Sequence, residues 1–138
     1  MYTLTRVIIF LLFTVVVKAQ EEGTTIVLEI ENISSEEGQM LIGLYDSSDN
    51  WLQKPVKGMV GKIENGQSIV RFLDIPNGTY AISVFHDEDN DGKLDSFLGI
   101  PTEATGSSND APARFGPPTW KDAKFEVSGG TITQIINL

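Results

Sequence analysis

Between His86 and Asp95 the chain reads His-Asp-Glu-Asp-Asn-Asp-Gly-Lys-Leu-Asp. Asp87, Asp89 and Asp91 take positions 1, 3 and 5 of a loop whose position 6 is Gly92. That spacing opens a calcium loop. Ca²⁺ takes about six to eight hard oxygens at roughly 2.3–2.6 Å, and alternate carboxylates on a tightly curled backbone converge on one point. Gly92 permits the sharp turn that brings the next carbonyl, that of Lys93, onto the ion. Asp95, at position 9, can ligate directly or through water. Leu94 between them is apolar, as a residue pinning the loop to a core would be. Position 12 is Leu98 and not the bidentate Glu of a helix–loop–helix site, and strands flank the loop instead of helices. A further ligand must therefore come from outside the loop, and Glu103 is the nearest acidic residue downstream. The metal candidates are thus Asp87, Asp89, Asp91, Lys93 through its carbonyl, Asp95 and Glu103, and the implied ion is a structural Ca²⁺. Mg²⁺ fits less well because it keeps more of its waters. The competing reading is a solvated acidic turn held by Asx hydrogen bonds.

Other chemistry is thinner. His86 is the single histidine, and there is no cysteine, so two-histidine sites, Cys-based zinc sites and disulfides within the chain are excluded. His86 and Asp87 are strand neighbours and point to opposite faces, so they do not form a base–orienter pair. Alternation places His86 on the face of Tyr80, Ile82 and Val84, as a structural histidine. No serine sits in a nucleophile-elbow pattern. Two readings compete with a binding module. One is a metal-dependent hydrolase using the same carboxylates, with His86 or Glu103 moving the proton. The other is a plain cell-envelope structural module with no ion site. Trp51, Phe97, Phe115 and Trp120 lie in or beside loops; they either stack on sugar rings or, as is commoner, cover the core.

The elements that position the acidic loop read as strands. Thr24–Asn32, Gln39–Tyr45, Met59–Glu64, Ser68–Leu73, Thr79–His86, Lys121–Val127 and Thr131–Asn137 are short, alternating or β-branched runs. Asn65-Gly66 predicts a hairpin between the third and fourth. About seven strands with frequent turns predict a single antiparallel β-sandwich, all-β and transthyretin-like or Ig-like in class. The pattern stops from Asp87 to Trp120. Pro101, Pro112, Pro117 and Pro118 with Gly99, Gly106 and Gly116 predict a long ordered loop over 96–120 rather than a disordered insertion.

The N-terminus reads as an address. Arg6 precedes an uncharged apolar run from Val7 to Val17, too short to span a bilayer, and Val17-Lys18-Ala19 has small residues at the −3 and −1 positions of a signal-peptidase site. Residues 1–19 are expected to be a signal peptide cleaved after Ala19, leaving a domain over 20–138 that is secreted or periplasmic and has no membrane span. The whole chain has 138 residues, 10 basic against 19 acidic groups and a net charge of −9. Loss of Arg6 and Lys18 takes this to −11. Nucleic acid is excluded as a partner, since phosphate backbones would repel such a surface. A protein or carbohydrate ligand and a monomeric state are expected.

The series His86–Asp95, Phe97–Glu103, Gly106–Asn109 and Phe115–Ala123 resembles a family of uncharacterised secreted bacterial proteins, a domain of unknown function with an HDxDxDGxLD…GIPxE…FGPP motif series. Ser107 stands where an aromatic is expected and Trp120 where Phe is usual; neither touches the acidic loop. The resemblance implies the fold and the compartment but no activity. More distantly, Leu73–Tyr80 running into Val84 is similar to the turn and strand of transthyretin-like and adhesin B-type modules, some of which carry a DxDxDG-type calcium loop after that strand. The expectation from all of this is a secreted, non-enzymatic β-sandwich in which calcium orders a partner- or carbohydrate-binding loop.

Overall fold

The structure is a computed structural model and describes residues 22–138. The expected signal peptide lies outside the described residues. Ten strands form: β1 Thr24–Glu31, β2 Gln39–Tyr45, β3 Lys57–Gly61, β4 Ser68–Ile75, β5 Gly78–Asp87, β6 Ser96–Phe97, β7 Ile100–Pro101, β8 Thr105–Ser107, β9 Phe125–Val127 and β10 Thr131–Asn137. A 3₁₀ turn covers Ser108–Asp110, and α1 is one turn, Trp120–Ala123. The fold is all-β. No helix among the described residues is long and apolar enough to cross a membrane.

Two sheets face each other. One runs β10-β1-β4, the other β3-β2-β5-β8, with β9 pairing the first residues of β5. Alternation decides which side chains meet between them. Ile26, Leu28 and Ile30 of β1 and Val70 and Phe72 of β4 point inward from one sheet. Met40, Ile42 and Leu44 of β2 and Tyr80, Ile82 and Val84 of β5 point inward from the other. Each such aliphatic, fully buried, contributes about 1.5–3 kcal/mol relative to exposure. The small residue Gly106 of β8 lets the second sheet close on the first: a Cβ there would lie 2.6 Å from Ile136 Cγ2 of β10.

Three expectations need correcting. The sheets are not wholly antiparallel, because β10 runs parallel to β1, with Ile30 opposite Ile136. The Asn65-Gly66 turn forms with both φ values positive, but it closes one bridge, Glu64–Gln67, and not a hairpin of long strands. β3 ends at Gly61 and pairs with β2, while β4 pairs with β1, so the chain changes sheets across this turn. A dipeptide specifies the turn; burial of Ile63 and Val70 on the core side decides which sheet each flank joins. Finally, 121–127 is not one strand. Thr119 caps α1, its Oγ1 accepting the Asp122 N–H at 3.3 Å, and β9 begins only at Phe125. Thr119 with Asp122 is a capping-box signature.

The stretch 96–120, expected to be one long loop, contains short elements of its own. β6 and β7 form a small hairpin, and β8 adds an edge to the second sheet beside Ser83–Phe85. Ser108 ties that segment down: its buried hydroxyl accepts the Ile82 N–H at 2.9 Å and donates to the Ala123 carbonyl at 2.6 Å.

Candidate metal centre

The acidic loop leaves the end of β5, the central strand of its sheet. Its position depends on the turn between β1 and β2. Gly38, at φ +74°, lies so close that a Cβ would fall on the Asp87 carbonyl oxygen. One residue earlier, the Glu37 carbonyl sits 2.6 Å from His86 Nε2. A carbonyl only accepts, so Nε2 carries the hydrogen and donates. His86 is fully buried, on the core face that alternation assigns it. Its other nitrogen, Nδ1, is 3.7 Å from Glu88 Oε1, two residues on.

Asp87 faces the opposite way and is also fully buried. Strand register sets it across from Gln39, whose Nε2 donates to Asp87 Oδ2 at 2.9 Å. The N–H of Gly92 donates to the same oxygen at 3.0 Å, and that of Asp91 to Oδ1 at 3.2 Å. Asn90 at φ +56° and Gly92 at φ +76° supply the left-handed bends that curl the backbone back. The Asp91 N–H also reaches Asp89 Oδ1, and the Lys93 N–H donates to Asp91 Oδ1 at 2.8 Å.

The loop thereby brings the expected carboxylates together. Single oxygens of Asp87, Asp89 and Asp91 lie within 4.8 Å of one another, and so do those of Asp89, Asp95 and Glu103. Asp89 belongs to both groups. Glu103, singled out only as the nearest downstream acid, folds back into the loop: its two oxygens accept the N–H groups of Glu88 at 3.2 Å and Asp95 at 3.1 Å. It is 9 % exposed. Lys93 is exposed, and Leu94 is 40 % exposed instead of pinned to the core. Glu103 and the amide hydrogen bonds hold the loop where Leu94 was expected to.

The electrostatics are uneven. The Gln39 hydrogen bond, helped by the amides of Gly92 and Asp91, outweighs burial and holds Asp87 below the usual carboxylate range. Desolvation, with the Asp91 and Asp95 charges adding to it, pushes Asp89 up to about 6. Asp95 is raised for the same reason, with Asp91 and Glu103 adding to it. Two buried carboxylates, Asp87 and Glu103, have no basic partner. The ion pair among the described residues is Lys62–Glu64, and Nδ1 of His86, 3.7 Å from Glu88 Oε1, makes no hydrogen bond. A buried carboxylate without a counter-charge is costly unless a cation or a proton compensates it. Asp89 and Asp91 are exposed, and the cluster around Asp89 is a place where a divalent cation fits the donors: hard oxygens only, on a curled loop.

Sequence reading missed Gln39 and Gly38. The β2–β5 register, which sets Gln39 opposite Asp87, was the signal that could have found the first. Of the four loop aromatics, Trp51 is buried, with Tyr45 at 5.0 Å and Trp120 at 6.0 Å between ring centroids, and its Nε1–H donates to the Pro118 carbonyl at 2.8 Å. These two cover a small second core. Phe97 and Phe115 are exposed and cover nothing. A cavity of about 460 Å³, lined by Asn109, Arg114, Pro117, Thr119 and Asp122 among others, contains none of the six metal candidates.

A family model described as an uncharacterized protein conserved in bacteria, DUF2141, matches residues 28–135. No curated protein and no solved structure matches the chain. The matched span runs from β1 into β10 and contains the whole acidic loop, and the chain accordingly belongs to this uncharacterized bacterial family.

Proposed function

We propose that the protein is a secreted, non-enzymatic β-sandwich module whose acidic loop binds Ca²⁺ and so orders the segment 96–120 as a surface for a protein or carbohydrate partner. One observation carries the reading. Asp87 and Glu103 are buried carboxylates without a basic partner; Asp87 lies with Asp89 and Asp91, Glu103 lies with Asp89 and Asp95, and Asp89 is common to both groups. The ligands would be these five side chains and the Lys93 carbonyl. A cation there offsets charges that otherwise repel one another. Because Glu103 lies beyond the β6–β7 hairpin, the same ion ties both ends of that hairpin to the sandwich.

The test is a thermal melt of residues 20–138, which contain every strand and every core residue described, in chelator and then with added metal. With a weak extracellular-type site filled about tenfold above its Kd, Ca²⁺ at about 1 mM stabilises by about 1.4 kcal/mol, a rise of several degrees. Mg²⁺ at the same concentration gives a much smaller rise. Asp91→Ala, at an exposed position, abolishes the calcium increment and leaves the chelator melt nearly unchanged. A wild-type melt indifferent to calcium overturns the proposal.

A further inference from the structure

Residues 109–122 form the cavity of about 460 Å³, and it shares no residue with the acidic loop. That volume falls within the range of small-molecule sites, about 300–1,000 Å³. Its walls are fastened to the sandwich. Ala111 packs, with Trp120, against the second core of Tyr45 and Trp51. Pro112 and Pro117 line the cavity with fixed φ values. Next to Pro117, the Pro118 carbonyl accepts the Trp51 Nε1–H, and Thr119 caps α1.

The polar groups of the lining are partly spent and partly free, and the free ones define the ligand. Both hydrogens of the Asn109 amide go to main-chain carbonyls, that of Asp122 at 3.1 Å and that of Lys124 at 2.8 Å, so Oδ1 is left to accept. Thr119 Oγ1 accepts the Asp122 N–H and donates its own hydrogen to Asp122 Oδ2 at 3.0 Å, which leaves Asp122 Oδ1 to accept. The same bonds hold both acceptors in place before any ligand arrives. Arg114 brings five N–H donors to this cavity and pairs with no carboxylate, Asp122 included. One guanidinium and one carboxylate therefore line a single cavity without neutralising each other.

Their charges sum to zero, so the lining favours no net charge in its occupant. The chain's own −9 opposes an anion, and Arg114 opposes a cation. The set suits a neutral ligand that donates to Asn109 and Asp122 and accepts from Arg114. A hydroxyl does both at once. Phe115 lies in the chain between Arg114 and Pro117 and is fully exposed, so an uncovered aromatic ring stands beside these groups. An aromatic face covers the C–H face that a polyhydroxylated ring presents.

We infer that this cavity is a binding site for a neutral carbohydrate, with its hydroxyls shared among Arg114, Asp122 and Asn109 and one ring face against Phe115. The inference rests on the reading of 96–120 as a partner surface and uses none of the metal candidates.

The experiment is a titration of isotope-labelled residues 20–138 with maltotriose, cellotriose and chitotriose, read by amide NMR shifts, each with Ca²⁺ and with chelator. Trigalacturonate and glycylglycine are the anionic and dipolar controls. The expected result is that at least one of the three neutral sugars, at millimolar concentration, shifts amides in 109–122 and leaves β1 and β2 in place, while neither control does. Arg114→Gln, at an exposed residue with no ion pair, weakens that binding about tenfold and leaves the melt unchanged. Phe115→Ser weakens it as well, again without a change in the melt. No shift with any of the three sugars overturns the site, and so do shifts outside 109–122 or shifts given by glycylglycine in their place. Binding unaltered in Arg114→Gln also overturns it. Sugar binding by a protein whose melt has no calcium increment leaves this site standing and removes the ion; a calcium increment without sugar binding does the reverse.

Discussion

His86 and Phe97 lie eleven residues apart and belong to two differently built regions. Up to His86 the chain is held by its apolar core. Leu28, Ile30, Met40, Leu44 and Ile82 are 0 % exposed, and the interior is apolar but for a few residues such as His86, which has its Glu37 partner. Beyond it, the acidic loop and the β6–β7 hairpin reverse the arrangement, with the carboxylates of Asp87 and Glu103 buried and Phe97, Leu98 and Ile100 turned out. The sandwich derives its stability from apolar burial, which needs no ligand. The loop derives its order from backbone N–H groups donated to Asp87, Asp89, Asp91 and Glu103, and on the function proposed above its unbalanced negative charge makes that order responsive to a cation. Two regions of one small domain thus answer to different variables.

The largest effect that separates them comes from the core. Phe72 of β4 is 2 % exposed and among the largest fully buried side chains. Phe72→Ala should cost about 3–5 kcal/mol in urea unfolding, by lost transfer energy and the cavity left behind. The loss should be equal in calcium and in chelator. A loss that depends on the ion would show that the two regions are one cooperative unit, and the comparison would fail.

A smaller effect probes the junction. Trp51 Nε1–H donates to the Pro118 carbonyl, which fastens the far end of the long segment to the sandwich. Trp51→Phe keeps an aromatic against Tyr45 and Trp120 but removes that donor. The expected cost is about 1 kcal/mol, typical of one hydrogen bond. Amide exchange should speed up in 112–120 and stay unchanged in β1 and β2. Faster exchange through the core strands would mean that Trp51 is part of the main core and not a fastening for the segment.

The same division explains what was legible in the residues alone. Strands β1 to β5 and β10 follow from alternation, because a half-buried sheet writes its inward face at period two, whereas 121–127 splits into α1 and the three-residue β9. Thr105-Gly106-Ser107 has too few side chains to write any period, and β8 was lost. The pairing partner of β3 is a tertiary choice made by Ile63 and Val70, which the Asn65-Gly66 dipeptide does not encode. In the candidate site, the spacing of Asp87, Asp89 and Asp91 reports local curvature and was readable. Glu103 was placed by proximity in the chain, but its hydrogen bonds to Glu88 and Asp95 depend on the hairpin between them. Gln39 depends on register across β2 and β5, and no local pattern carries it. Leu94 misled because an apolar residue in a loop predicts burial only when a core lies underneath.

The most delicate separation is by pH. The folded, ion-free chain raises Asp89 to about 6 from its ordinary 3.8, chiefly by desolvation. The folded state therefore holds a proton there that the unfolded chain has released. Stability from this group is present below about pH 4 and is lost as pH rises through 6. Asp87, shifted the other way, acts only below the ordinary carboxylate range and stays out of this window. Calcium needs the ionised carboxylate, so its increment runs in the opposite direction, shrinking as pH falls from 7 to 5. In chelator, lowering the pH over that range should raise the wild-type melt relative to Asp89→Asn, whose amide does not titrate. In calcium the order of the two pH values should reverse for the wild type. Phe72→Ala should leave both trends intact, since the apolar side chains around it carry no titratable group. Parallel pH profiles for wild type and Asp89→Asn in chelator would mean that Asp89 is as well solvated as an ordinary surface carboxylate. The loop would then lack the desolvated charge that distinguishes it from the sandwich.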